Sequence, residues 1–206
     1  MSNTTLHNEN VSVTLKSLGA ELTSIKDASG TEYLWQGNPE FWSGQAPVLF
    51  PIVGCLRNGT ATIGDNKTCS FGRHGLARRL EFDLVSSSDT SITYSLKAND
   101  KTKEQYPYDF ELQMTYELTE HGVKVSHTVI NHDSVVMPYC VGGHPAFNCP
   151  VFENESFEDY IVEFEQPENA ACAQLTEDGL INNADRVSVL ENEAVIPVRH
   201  SLFYKD

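Results

Sequence analysis

The chain has 206 residues, with 29 acidic side chains against 14 basic ones and a formal net charge of −15, so its long-range field repels phosphate backbones and anionic lipid and argues against a nucleic-acid partner. Apolar residues make up 40% of it and are interleaved with polar ones, as in a folded globular protein; a chain of this length is ordinarily one all-β domain, so a single domain over 1–206 is expected. The first ten residues carry neither a cationic segment nor an apolar run, and no stretch approaches the roughly 20 apolar residues of a membrane span, so neither a signal peptide nor a membrane partner is expected.

In chain order, short alternating runs predict strands at Val11 to Leu15 and Glu21 to Ile25, followed by the turn cluster Asp27-Ala-Ser-Gly30. Asn38-Pro39 is the one tidy helix start, a capping residue before a proline, and it leads to Phe41-Trp42 within one turn. Gly64-Asp-Asn66 predicts a further turn, and Ile92 to Leu96 a further strand. Period two is clearest in Phe110-Glu-Leu112-Gln-Met114-Thr-Tyr116-Glu-Leu118, where every other residue is apolar. Thr119-Glu-His-Gly122 then supplies turn chemistry before the alternating Val123 to Val129, so the two runs form a long hairpin. Tyr160 to Phe164 and Arg186 to Leu190 complete the predicted strands, and the spacing suits a β-sandwich without a long helix or repeat.

The five cysteines, Cys55, Cys69, Cys140, Cys149 and Cys172, are odd in number, widely spaced and free of any C-x-x-C pair. That argues against a disulfide framework or a structural zinc site and points to a reducing cytoplasm.

Three segments break the alternation, as loops that carry function on a β-scaffold do. Pro47-Val-Leu-Phe-Pro-Ile-Val-Gly54-Cys-Leu-Arg57 is made irregular by two prolines and a glycine, and Arg57 follows as a charge needing a partner or solvent. Phe71-Gly-Arg-His74-Gly75-Leu-Ala-Arg78-Arg79 puts a glycine-flanked histidine among three arginines of an acidic protein. It is either a solvated basic loop or a place where His74 and Arg78 face hydroxyls or a phosphate. In Gly142-Gly143-His144-Pro145-Ala-Phe147-Asn148 the glycines permit close backbone approach, and Pro145 drives His144 toward an extended conformation, which favours a site residue over an incidental one. A metal site from Cys140, His144 and Cys149 has no matching zinc spacing. His7, His121, His127, His132 and His200 are read as structural or solvated, and Trp35, Phe41, Trp42 and Tyr108 as core or rim aromatics, with a sugar platform the minority reading.

Leu18-Gly-Ala-Glu-Leu-Thr-Ser-Ile25, Pro51-x-x-Gly54-x-x-Arg57, His74-Gly-Leu-Ala-Arg78 and Gly143-His144-Pro-Ala-Phe-Asn148, in this order and spacing, resemble the aldose 1-epimerase or galactose mutarotase family. The family includes hexose-phosphate mutarotases and a bacterial subgroup associated with lactose-utilisation operons, and the likeness runs along essentially the whole chain. It implies an all-β galactose mutarotase-like β-sandwich (supersandwich), a cleft for a hexose or hexose phosphate, and no cofactor or metal. In such enzymes a histidine protonates the ring oxygen while a glutamate removes the anomeric hydroxyl proton. The ring opens, C1–C2 rotates, and closure gives the other anomer. By this resemblance His144 is the general acid and His74 the histidine that helps hold the ring. Arg57 and Arg78 are the substrate-binding arginines, and Asp206 a sugar-hydroxyl-binding aspartate.

Two departures accompany the likeness. Leu56 stands where mutarotases have an asparagine, and the family's catalytic glutamate lies toward the C-terminus of a longer chain. The expectation is therefore a sandwich incomplete at its C-terminus, with strand edges open to a second copy of the chain as a homodimer. The alternative to an epimerase is a non-catalytic carbohydrate-binding protein that keeps the cleft and lacks the base.

Overall fold

The computed structural model describes residues 2–64 and 66–204. Asp65 of the expected Gly64–Asn66 turn and the candidate Asp206 lie outside the described residues. The chain divides into two compact units, Met1–Phe147 and Asn148–Asp206.

In the first unit β1 (Asn3–His7), β2 (Val11–Lys16) and β3 (Glu21–Asp27) form an antiparallel sheet in that order. The short β4 (Val48–Leu49) and the β5–β6 hairpin (Thr60–Ile63, Lys67–Ser70) come next. Then β7 (Asp83–Ser87), β8 (Ser91–Lys97), β9 (Phe110–Leu118) and β10 (Val123–Asn131) make a second antiparallel sheet of order β10-β9-β8-β7. Finally β11 (Gly142–Gly143) pairs with β4.

Alternation decides which faces meet. Val11, Val13 and Leu15 of β2 and Phe110, Leu112, Met114 and Tyr116 of β9 are all buried in one shared apolar cluster, each large side chain contributing about 1.5–3 kcal/mol. Two phenols tie the sheets together across that core. Tyr116 donates to the Ala20 carbonyl at 2.6 Å, and Tyr94 bonds Thr4 Oγ1 at 3.2 Å. The unit is the expected sandwich, and the β9–β10 hairpin has the register that its sequence requires, with Leu118 opposite Val123.

Two local expectations change. Asn38-Pro39 starts no helix: Asn38 Oδ1 accepts from the Glu40 N–H, and its carbonyl accepts from Phe41 and Trp42, so one turn forms and stops. Among the described residues α-helix is confined to the four-residue α1 (Asp100–Lys103), where Asn99 and Thr102 form a reciprocal capping box.

The second unit is built on one hairpin of β12 (Ile161–Leu175) and β13 (Ile181–Pro197). Both strands run far beyond the five-residue segments expected, because register shifts let irregular sequence stay paired. Pro167, which cannot donate to the ladder, falls within one such irregularity between Glu163 and Glu168. Thr176 closes the turn, its carbonyl accepting from Gly179 and its hydroxyl from Leu180.

Candidate active site

The segment Pro47–Gly54 acts as a rib that grips two other loops through its backbone. Along one side, the Gln45 and Pro47 carbonyls accept from Ala146 (2.9 Å) and His144 (3.1 Å), Gly142 and Gly143 pair with Leu49 and Val48, and the Cys140 N–H reaches the Pro51 carbonyl at 2.9 Å. The Gly-Gly-His-Pro loop is thus an antiparallel partner of the rib, and His144 stands at its end. The rib's own start is fixed by buried Glu21, which accepts from the Gln45 and Ala46 N–H groups and pairs with Lys16 at 2.6 Å.

The other side holds His74. The Phe50 carbonyl accepts from both Leu76 (2.9 Å) and Ala77 (3.2 Å), so the chain must turn sharply around that oxygen at Gly75. There φ is +76°, and a Cβ would lie 2.2 Å from the carbonyl oxygen, which leaves room only for glycine. His74 itself has φ +67°, a strained conformation for a residue with a side chain. A reciprocal clasp offsets that strain. The His74 N–H donates to the Gly54 carbonyl at 2.7 Å, and the Gly54 N–H donates back to His74 Nδ1 at 3.1 Å.

That second bond fixes the chemistry of the ring. Nδ1 accepts, so the proton of neutral His74 sits on Nε2, available to a ligand oxygen. Burial lowers the pKa of His74 from its ordinary value, reinforced by the positive fields of Arg78, His144 and Arg73, so the neutral form with an Nε2 donor is favoured at neutral pH.

Seventy positions apart in sequence, the two imidazoles meet with ring centroids 5.9 Å apart and tilted by 52°. His144 also packs on Trp42, centroid to centroid 5.2 Å at 50°. Trp42 and Gly54 were not singled out as site residues by sequence reasoning. The available signals were the glycine two places after Trp42 and the glycine in the Pro-rich segment.

The arginines divide. Half-buried Arg78 lies on the 3-10 turn Ala77–Arg79, its Nε buried with no hydrogen-bond partner among the described residues. Burial, with the fields of Arg79 and Arg73, lowers its pKa, and Glu21 opposes the shift. Arg73 donates through Nε to Cys55 Sγ at 3.3 Å. Arg57 opens the 3-10 turn Arg57–Gly59, its carbonyl accepting from the Thr60 N–H, and stands exposed with no hydrogen bond or ion pair to its guanidinium among the described residues. The loops around His74 and His144 therefore gather positive charge within a protein of net charge −15. Among the described residues no group of three or more His, Cys, Asp or Glu side chains is placed to hold a metal ion.

The remaining histidines take other parts. His132 pairs with Glu111 at 3.2 Å, His121 lies beside Glu120, and His200 stacks on Phe157. His127 is half-buried, with Nε2 lacking a partner among the described residues.

An all-β sandwich core whose glycine-bounded loops bring two histidines together is the architecture of galactose mutarotase-like proteins. The family described as Aldose 1-epimerase matches residues 2–192, and the chain belongs to it. Protein LacX (plasmid) of Lactococcus lactis subsp. lactis is 42% identical over 207 residues, covering 98% of this chain and 69% of that protein. Among solved structures, a galactose mutarotase related enzyme from Lactobacillus acidophilus superposes with a TM-score of 0.92 at 33% identity, covering all of this chain and 68% of its own. A galactose mutarotase-like protein from Lactobacillus casei gives 0.86 at 32%, covering 98% and 69%. No helix among the described residues is long and apolar enough to cross a membrane.

Proposed function

We propose that the protein is an aldose 1-epimerase that interconverts the α and β anomers of a hexose or hexose phosphate by acid–base ring opening. The observation that carries this reading is the pairing of His74 and His144 at 5.9 Å, each set by the same backbone rib. Mutarotation needs one group to donate a proton to the ring oxygen and retrieve it on closure, and imidazole titrates close enough to neutrality for both steps. His144, exposed at the end of the β4–β11 pair, is the general acid. His74, with its proton held on Nε2, donates a fixed hydrogen bond that orients the ring.

Arg78 supplies substrate contacts beside His74, and Arg57 is the further binding arginine. A guanidinium suits both sugar hydroxyls and phosphate oxygens. The charged groups that shift His74 are Arg78, His144 and Arg73, with no carboxylate among them. The five cysteines are all free thiols, which supports a reducing, cytoplasmic setting.

The test is the rate at which freshly dissolved α-glucose, α-galactose and their 6-phosphates lose optical rotation with the protein present. Acceleration with at least one of the four supports the reading and identifies the sugar class. Equal indifference to all four sinks it, and sugar binding without acceleration replaces it with a carbohydrate-binding protein.

A further inference from the structure

We infer that Trp42 is a positioning residue, its indole being the wall that sets the imidazole of His144. The inference rests on the function proposed above only for what the His144 proton does; the placement itself stands on geometry.

The two histidines are held by different means. His74 has a hydrogen bond on Nδ1, whereas the His144 imidazole has none among the described residues, and its residue is exposed. A free imidazole on an exposed backbone samples several rotamers, and proton transfer requires one. The contacts that restrict it are the rings of Trp42 at 5.2 Å and His74 at 5.9 Å, both within the 4.5–7 Å range in which aromatic rings attract.

Trp42 is in turn fixed from three directions. Its N–H donates to the Asn38 carbonyl at 2.9 Å, and its carbonyl accepts from the Trp35 indole at 2.8 Å. Its ring also lies so close to Gly44 that a Cβ there would sit 2.4 Å from Cζ2 and 2.7 Å from Cε2. The turn at Asn38-Pro39 thus delivers an indole to the catalytic histidine, and Gly44 keeps the space that indole occupies.

Three variants test this: Trp42→Ala removes the wall, Trp42→Phe keeps a smaller ring, and Gly44→Ala keeps the indole but displaces it. The first readout is proton NMR of the His144 ring signals, assigned by their loss in His144→Ala. Their ring-current displacement should vanish in Trp42→Ala, persist in part in Trp42→Phe, and change in Gly44→Ala. The second is mutarotation of whichever sugar responds. Trp42→Ala and Gly44→Ala should lower kcat by at least about 10-fold with KM held, in keeping with the rate cost of a misplaced group; Trp42→Phe should recover most of the loss.

His144 signals that do not move in Trp42→Ala would overturn the inference, as would an unchanged kcat or a loss confined to KM, which would make the indole a sugar contact instead. If the unaltered protein shows no mutarotation, the proposed function fails while the NMR result still decides the positioning. If Trp42→Ala loses its fold by circular dichroism, Gly44→Ala decides, since it retains every site side chain.

Discussion

Replacing Gly75 by alanine tests the backbone clasp that carries His74, and Gly30 provides its control. Both glycines have positive φ, +76° and +88°, so an alanine at either pays about 1–2 kcal/mol for a left-handed backbone. At Gly30 nothing lies within 4 Å of the added Cβ, whereas at Gly75 it meets the Phe50 carbonyl oxygen at 2.2 Å, its carbon at 2.5 Å and Pro51 N at 2.8 Å. These are backbone atoms that cannot swing aside, so Gly75→Ala adds about 1–3 kcal/mol of overpacking. At about 2–4 °C per kcal/mol for a chain of this size, Gly75→Ala should lose about 4–20 °C in Tm and Gly30→Ala about 2–8 °C. Paired thermal unfolding by circular dichroism reads the difference, and polarimetry should show lost mutarotation in Gly75→Ala alone. Equal Tm losses would refute the steric argument, and full activity in Gly75→Ala would refute the claim that this turn places His74.

Two further predictions concern pH. Burial lowers the pKa of His127 from its ordinary 6.5, so the unfolded chain binds that proton more readily and stability falls as pH drops below about 6.5. His127→Leu should therefore make the decline in Tm between pH 7.5 and 5 shallower, and an unchanged slope would contradict it. Glu111 is held at about 2, first by the Gln113 amide and then by Ser95, His132 and Lys97, against an opposing effect of burial. Its stabilisation is complete above the ordinary 4.5 and is lost as pH falls toward 2. Glu111→Gln should cost about 1–3 kcal/mol at pH 7, with the deficit shrinking at pH 2–3. A deficit independent of pH in urea titrations would show that charge plays no part.

Strands were legible where one face is buried and the other wet. Phe110–Leu118 and its partner from Val123 to Val129 emerge from alternation and a turn tetrapeptide alone, and the structure extends the partner only to Asn131. Of the long hairpin β12–β13 only Tyr160 to Phe164 and Arg186 to Leu190 were legible, because its register shifts break the period elsewhere and residues such as Glu168, Asn169 and Asn182 carry no strand signal. Asn38-Pro39 misled because a helix start was followed by nothing that sustains one: Gly44 serves the Trp42 ring instead. Helix α1 gave no such signal, because its capping box uses Asn99 and Thr102 rather than the usual Ser or Thr followed by Glu or Gln, and only four residues follow the cap. At the site, glycine-flanked His74 and His144 stand out in the sequence. Their convergence does not, since it depends on backbone bonds from the Pro47–Gly54 rib that carry no side-chain signature.

The most direct measurement of the central claim is polarimetry of the responding α-hexose or its 6-phosphate with the unaltered protein, His144→Ala and His74→Ala. The account predicts acceleration that falls by about 10²–10⁴ without the His144 imidazole, the scale of one proton-transfer group, and by a smaller factor without His74. Acceleration that survives intact in His144→Ala would contradict it.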